Sequence, residues 1–318
     1  MSICVTKESL IINRDVCPVC KSEHRSILLS AKHNSDGFLN FIKYEPYFSK
    51  SFYDGYFNGI LGEMLYEVAE CNSCHFVYLT EVLNDTGMGM LYNDWLDKDL
   101  LKEYYSTIPY SFYEETMLKV LRKFFYKKSQ VNIMDFGAGY GNFCAISAKI
   151  GFTTYAFDLS EDKNDHIKNM GVTIINNLDN YIGFFDFIYV NQVFEHVSEP
   201  GCILEKLQLC LKDTGYIYVA VPDSSDAKKI LKANGLSKSF FKLLSPHQHI
   251  NAFTNNTLRL LGENSGLKAL SMWDFLTMFS RSLNLTELKF LIKKTIKNKS
   301  YSTGLFFKKK VNLHISDA

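Results

Sequence analysis

Cys17-Pro-Val-Cys20 and Cys71-Asn-Ser-Cys74 are two C-x-x-C pairs in a chain of 318 residues that holds eight cysteines. A C-x-x-C turn lets both sulfurs face one ion, and two such turns supply the four soft ligands of a tetrahedral structural zinc site with no position left open for catalysis. The intervening stretch is longer than the usual ribbon spacing, but an inserted loop does not disturb the ligand geometry. His75 adjoins the second pair and is read as a bystander, because Cys74 already fills the fourth position.

A second chemistry-bearing stretch is Val131 to Gly141, V-N-I-M-D-F-G-A-G-Y-G. A short apolar run ends in Asp135, and the alternate glycines Gly137, Gly139 and Gly141 precede the helical pattern N-F-C-A-I-S-A-K-I. Strand, glycine turn and helix start bring backbone N–H groups against a polar ligand with no Cβ in the way. The spacing G-x-G-x-G differs from the dinucleotide fingerprint G-x-G-x-x-G. An acid two positions ahead of the first glycine repels a pyrophosphate and suits a zwitterion. Asp158 lies seventeen residues beyond Gly141 at the end of the next apolar run, where a doubly wound sheet places an acid for two vicinal ribose hydroxyls. Helix capping is its competing role, one that Ser160 could also fill.

The third set is Glu195 and His196, which follow the apolar run Phe185 to Asn191, and the pair His247 and His249 in S-P-H-Q-H-I-N-A-F. The end of a fourth strand neighbours that of the first at the switch point of such a sheet, so Glu195 and His196 are expected to point toward a site. Histidine takes a proton near neutral pH with little tuning, and the proline ahead of this pair places it in a loop. Metal binding by these histidines is the weaker functional alternative, since no C-x-x-C lies nearby.

D-F-G-A-G-Y-G resembles the first motif of class I S-adenosylmethionine-dependent methyltransferases. F-D-F-I-Y-V-N-Q-V-F-E-H-V is similar to their segment after the fourth strand, which commonly reads L-E-H-V. L-K-D-T-G followed by V-P-D resembles L-K-P-G-G and V-P-N, and His249 with Phe253 matches an H-x-x-x-F pattern. A two-knuckle N-terminal module precedes this domain in a group of sugar and polysaccharide methyltransferases.

The resemblance implies S-adenosylmethionine as cofactor, with Gly137, Gly139 and Gly141 under its methionine part, Asp135 near its amino end through water, and Asp158 on its ribose. Asn177 and Leu178 fall where relatives contact adenine, and Asn191 at the end of the fourth strand joins the cofactor-binding set. His249 is the expected general base, Glu195 and His196 orient the acceptor or tune that base, and His247 completes the candidate catalytic group. The expected acceptor is a sugar, nucleotide-linked or within a polysaccharide precursor. O-methylation is favoured because C-methylating relatives carry a further C-terminal domain for which this chain is too short. RNA methylation and a non-catalytic cofactor-binding scaffold are the alternatives.

The elements that must position these residues read as an α/β fold, a doubly wound seven-stranded Rossmann-like methyltransferase sheet preceded by a small zinc-binding domain. The zinc module, with an aromatic-rich insertion from Lys32 to Gly62, is expected over residues 1–95 and the methyltransferase domain over 96–318. Strands are expected near 131–134, 152–157, 172–175, 185–191, 215–221, 269–275 and 304–311. An apolar helical stripe over Glu114 to Lys128 should pack under the sheet. Lys+Arg 35 against Asp+Glu 34 leaves no global field for nucleic acid. The bias is local, since Arg281 to Lys310 holds nine basic residues and only Glu287 as an acid, much of it on an amphipathic helix expected over Leu283 to Lys297 that suits weak contact with an anionic membrane surface. The N-terminus lacks a signal-peptide layout and no long apolar run occurs, so a cytoplasmic location is expected.

Overall fold

The computed structural model describes residues 10–49, 52, 61–107, 112–158, 167–271, 273–274 and 302–310. The amphipathic helix expected over 283–297 and the residue Ser160 lie outside these. The chain forms two compact units that are not contiguous in sequence. One comprises Met1–Pro109, Phe194–Pro200 and Val221–Thr257, the other Tyr110–Val193, Gly201–Ala220 and Leu258–Ala318. Two segments beyond residue 95, Phe194–Pro200 and Val221–Thr257, thus belong to the first unit.

The first unit is built on strands β1 (Ile11–Asn13), β2 (Arg25–Lys32), β3 (Leu65–Cys71), β4 (Val77–Leu79) and β5 (Glu81–Leu83). β1 pairs antiparallel with β5, while β2, β3 and β4 form an antiparallel sheet. The fourth strand of that sheet, β11 (Asn251–Ala252), comes from much later in the chain and pairs antiparallel with β4. The aromatic insertion is not an open loop. It holds helix α1 (Asp36–Ile42), whose Phe38, Phe41 and Ile42 are buried with Tyr66, Phe240 and Leu244 in one apolar cluster. These rings meet at 5.4–6.4 Å, the spacing of aromatic packing. Helix α2 (Asp85–Met90), a π turn over Leu91–Trp95 and helix α3 (Lys98–Thr107) follow β5.

The second unit carries a mixed seven-stranded sheet of order β12-β13-β10-β9-β6-β7-β8. Its strands are β6 (Asn132–Phe136), β7 (Thr153–Phe157), β8 (Thr173–Ile174), β9 (Phe185–Asn191), β10 (Leu211–Pro222), β12 (Leu267–Ala269) and β13 (Ser302–Lys309). β6 pairs in parallel with both β7 and β9, β9 with β10, and β12 runs antiparallel to β13. The seven expected strands are present, with the sixth two residues earlier than its apolar run suggests. The fifth begins at Leu211 because a register shift between Leu211 and Tyr216 carries the strand through Gly215. β6 and the first six residues of β9 are buried without alternation, as central parallel strands covered on both faces must be.

The apolar stripe expected over Glu114 to Lys128 forms helix α4 (Phe112–Phe124), and Met117, Leu118, Val120 and Leu121 pack against Ile133, Phe187, Tyr189 and Tyr218 of the sheet. Beside it, helix α5 (Asn142–Ile150) contributes Phe143 and Ile146. Asp186, fully buried on β9, accepts hydrogen bonds from Lys128 Nζ at 2.5 Å, Lys212 Nζ at 2.8 Å and the Asn132 amide at 2.9 Å, which fixes the end of β6 against its neighbour. No helix among the described residues is long and apolar enough to cross a membrane.

Candidate functional site

In the sheet-bearing unit the chain turns from β6 to β7 on one side and later to β9 on the other, so the C-terminal end of β6 is a switch point, the place where sheets of this kind bind ligands. Gly137, Gly139 and Gly141 stand there with φ of 78°, 54° and 79°. They serve different needs. A Cβ at Gly137 would lie 2.4 Å from Val193 Cγ2 and one at Gly141 2.9 Å from Ile167 Cγ1, so these two are demanded by close packing. A Cβ at Gly139 would meet nothing within 4 Å, which leaves this residue beside open space where a ligand can reach the backbone. Gly141 sits at the N-cap of α5.

Asp158, one residue beyond β7, accepts a 2.7 Å hydrogen bond from the Gly139 N–H. The second acid is placed differently. Asp135 is buried at the end of β6 and accepts a hydrogen bond from the Cys144 thiol at 3.3 Å. Burial pushes its carboxyl up to about 8, the Cys144 bond opposing and the charges of Glu114 and Asp158 adding to the rise. Asn191 ends β9, half-buried, in register with Ala220. Asn177 is exposed and caps a short 3₁₀ turn by accepting from the Asp179 amide, and Leu178 is buried beside it. A cradle without a Cβ, an acid on its rim and a second acid beneath it fit a ligand with an ammonium and a ribose.

The other unit holds two clusters. Cys17, Cys20, Cys71 and Cys74 bring their sulfurs within 4.8 Å of one another, with Cys17–Cys74 at 3.6 Å and Cys20–Cys71 at 3.4 Å. Sulfurs on one tetrahedral zinc ion, at about 2.3 Å each, stand roughly 3.8 Å apart, so the set fits that ion. The two turns share one backbone design. The amide of Cys17 bonds the Ser22 carbonyl and the Lys21 amide the Cys17 carbonyl, while Cys71 with Phe76 and His75 with Cys71 repeat both bonds. Lys21 and His75 both adopt positive φ, 60° and 61°, to close the turns. Cys17 is drawn down to about 5 by its hydrogen bond from Cys74, whose own thiol is raised in exchange. His75 is exposed and bonds Glu70 at 2.9 Å, away from the sulfurs.

Glu195, His196 and His249 form the second cluster, with one ligand atom of each lying within 4.8 Å of the others. Glu195 is 1% exposed, and burial pushes its carboxyl up to about 8, opposed only by its own amide. His196 is held down to about 3 by burial and by the neighbouring charge of His249. His249 is lowered by burial against a bond to the Lys242 carbonyl. That bond, Nδ1 to oxygen at 3.1 Å, places the proton on Nδ1, because a carbonyl only accepts, and leaves Nε2 with a lone pair.

His247 does not join this cluster. The expectation of two histidines in an open loop fails for it, since His247 is 3% exposed, edge-on to His33 at 5.3 Å and to Phe52 at 5.9 Å, and burial holds it down to about 3.

Two residues that sequence reasoning missed hold the cluster together. Asn251 Nδ2 donates to the Phe194 carbonyl at 2.8 Å and the Val197 carbonyl at 2.6 Å, and the Ile250 amide donates to the Glu195 carbonyl at 2.8 Å. Arg14 donates from Nη1 to Asn251 Oδ1 at 2.7 Å and from Nη2 to the Ile250 carbonyl at 2.9 Å, and it also bonds the Leu79 carbonyl. Burial lowers the guanidinium to about 9, so it stays charged at neutral pH. The only signal in the sequence is position, Arg14 three residues before the first knuckle and Asn251 two after His249.

Residues 110–272 match the family model described as a methyltransferase domain. No curated protein matches the chain. Among solved structures it is similar to the plantazolicin methyltransferase BpumL in complex with SAH, at 16% identity and TM-score 0.48, covering 70% of this chain and 94% of that one. It is also similar to a putative sarcosine dimethylglycine methyltransferase from Galdieria sulphuraria, at 17% identity and TM-score 0.42, covering 62% and 85%. A third is the 1,6-didemethyltoxoflavin-N1-methyltransferase of Burkholderia thailandensis, at 12% identity and TM-score 0.46, covering 75% and 97%. None of these likenesses bears on the acceptor. With the family model spanning just over half of the chain and the glycine loop inside that span, the chain belongs to the methyltransferase domain family and is a class I S-adenosylmethionine-dependent methyltransferase.

Proposed function

We propose that this enzyme methylates a hydroxyl oxygen of a sugar, nucleotide-linked or part of a polysaccharide precursor. The observation that carries the reading is the Glu195–His196–His249 cluster. An amine attacks a methyl sulfonium through its own lone pair, whereas a hydroxyl is a weak nucleophile until its proton is taken or polarised. A buried carboxyl with two imidazoles suits the second task. The sugar class is supported by the likeness of the two-knuckle module and of the E-H segment to those of sugar methyltransferases.

In this reading Gly139 offers its backbone to the methionine part of the cofactor, with Gly137 and Gly141 shaping the loop. Asp158 exchanges its bond to the Gly139 amide for the ribose hydroxyls, and Asp135 neutralises the amino end. Asn177 and Leu178 border the adenine, and Asn191 closes the loop side of the site. The cofactor supplies a methyl group already activated by its sulfonium charge, so the protein aligns it and prepares the acceptor. The acceptor-activating group is the Glu195–His196–His249 cluster. Cys17, Cys20, Cys71 and Cys74 hold a structural zinc ion; residues 1–95 act as the zinc module and residues 96–318 carry the transfer chemistry, although two segments of the latter fold within the first unit.

Incubation of the purified chain with methyl-labelled S-adenosylmethionine and fractionated cell extract tests the reading. Label is expected in small glycans or sugar nucleotides, and label in RNA or in no fraction refutes it. The same preparation should contain one thiolate-bound zinc ion per chain. A zinc-free, folded preparation overturns the cysteine assignment.

A further inference from the structure

We infer that Glu195, His196 and His249 bind one divalent transition-metal ion, a second metal site besides the four cysteines. Glu195 carries the argument. Its side chain is 1% exposed, and among the described residues neither carboxylate oxygen has a hydrogen-bond partner beyond its own amide. His196 Nε2 lies 3.7 Å from Glu195 Oε1, too far for a hydrogen bond, and His196 Nδ1 is likewise buried and without a partner. Leaving a buried carboxylate unpaired is among the most unfavourable arrangements a protein can hold, and a cation shared with two imidazoles removes the penalty.

The surroundings are those of a metal site. A ligating imidazole commonly commits its second nitrogen to a carbonyl, and His249 Nδ1 is so committed to Lys242. The segments carrying the three ligands are locked by the bonds of Asn251 to Phe194 and Val197 and of Ile250 to Glu195, so the donors are gathered before any ion arrives. Donors on one ion at about 2.1 Å each stand roughly 3.0–3.4 Å apart, and these three, all within 4.8 Å, need only close in slightly. Two imidazoles and one carboxylate favour zinc, manganese, iron or cobalt over magnesium or calcium. Three protein ligands leave positions open for the oxygens of a hydroxylated acceptor. The purpose of the ion rests on the cluster being the acceptor-activating group, but its binding does not.

Titration of the zinc-loaded chain with Co2+ tests the site, because the thiolates are already filled. One further Co2+ per chain is expected, with the weak d–d absorption of nitrogen and oxygen ligation and without the intense charge-transfer bands of thiolate cobalt. Glu195→Gln and His249→Ala should each weaken uptake at least as much as the roughly 10–100-fold lost when only an outer partner of a metal ligand is removed. The exposed His24→Ala should leave it unchanged. Retained zinc and an unaltered circular dichroism spectrum verify that the variants fold. Absence of cobalt uptake in the wild-type chain overturns the inference whatever the variants do, and so does uptake that persists in both variants. Cobalt binding without methyl transfer to any sugar sinks the acceptor reading alone, and transfer to a sugar without cobalt uptake sinks the metal alone.

Discussion

Replacing Asp135 by Asn removes a carboxyl group that the fold holds protonated at neutral pH. Burial raises this carboxyl from 3.8 to about 8, with Glu114 and Asp158 adding to the rise against the Cys144 thiol bond. Between those two pH values the folded chain keeps a proton that the unfolded chain has released. Stability from this group is therefore complete below the unfolded value and is lost as pH rises toward the folded one, at about 1.4 kcal/mol per pH unit. Over the gap of roughly four units this amounts to an upper limit on the order of 5 kcal/mol, since relaxation and water entry soften the burial term. Asn is neutral throughout and can still accept from the Cys144 thiol. Asp135→Asn should gain on the wild type by about 3–4 kcal/mol between pH 5 and pH 8 in denaturant unfolding followed by far-ultraviolet circular dichroism. Glu195, raised to about 8 with the same sign, stays in both proteins and cancels in the difference. A gap that is constant across this pH range refutes the assignment of a protonated Asp135.

The same carboxyl ties proton exchange to cofactor binding. An ammonium group brought near Asp135 favours its ionised form, so binding of S-adenosylmethionine at pH 7 should release a proton. Calorimetry in buffers of different ionisation enthalpy should read close to one proton released by the wild type and none by Asp135→Asn. Equal proton release from both would show that the amino end of the cofactor lies elsewhere.

The glycines separate packing from ligand access. Gly137→Ala places a methyl 2.4 Å from Val193 at φ 78° and should lose roughly 2–4 kcal/mol of stability. Gly139→Ala meets open space at φ 54° and should lose only about 1–2 kcal/mol, yet weaken S-adenosylmethionine binding by tenfold or more. Unchanged cofactor affinity in Gly139→Ala would remove this residue from the cradle. Asp186→Asn leaves Lys128 and Lys212 facing a neutral group, and because both lysines are about one-third exposed the loss should be about 2–3 kcal/mol, below the 3–5 of fully buried pairs. Burial alone would raise Asp186, but the two lysines and the Asn132 amide hold it below the usual carboxylate range. Its contribution is present above the unfolded value and fades as pH falls through the folded one, so the gap between wild type and variant in thermal melts must shrink from pH 7 to pH 3.

The central sheet was legible because its strands are continuous apolar runs ending in residues with a purpose, as in N-I-M-D-F before the glycines and F-D-F-I-Y-V-N before the E-H segment. The gathering of the four cysteines was legible because two C-x-x-C pairs of identical spacing have few uses apart from each other. What could not be read depends on contacts between distant parts of the chain. Arg14 reaches Asn251 across 237 residues, and neither residue type nor local pattern announces such a bond. His247 looks like a loop histidine in S-P-H-Q-H, yet it packs among rings supplied by His33 and Phe52. The composition of the insertion, rich in Asn, Gly and Tyr, concealed α1, whose helical face is set by only Phe38, Phe41 and Ile42.

These long-range bonds explain why the compact units cut across the sequence. After β9 the segment Phe194–Pro200 leaves the sheet-bearing unit because its carbonyls at Phe194, Glu195 and Val197 are taken by Asn251 and Ile250. Asn251 is itself a strand residue of the knuckle sheet, opposite Tyr78 on β4, and its side-chain oxygen is held by Arg14. Arg14 in turn is fixed by the Leu79 carbonyl, by the Tyr78 ring at 5.2 Å and, through its own carbonyl, by Arg25 at 2.6 Å. On one side of the series Arg14, Arg25, Tyr78 and Leu79 all lie close in sequence to the cysteine pairs, and on the other Ile250 and Asn251 directly follow His249. The cysteine turns adjoin the ends of β2, β3 and β4; Arg25 of β2 and Tyr78 and Leu79 of β4 hold Arg14, and Arg14 holds Asn251 and Ile250, which bond the Glu195 segment. The cysteine-bearing sheet thus reaches the cluster through Arg14 and Asn251, by setting where two distant loop segments are allowed to meet.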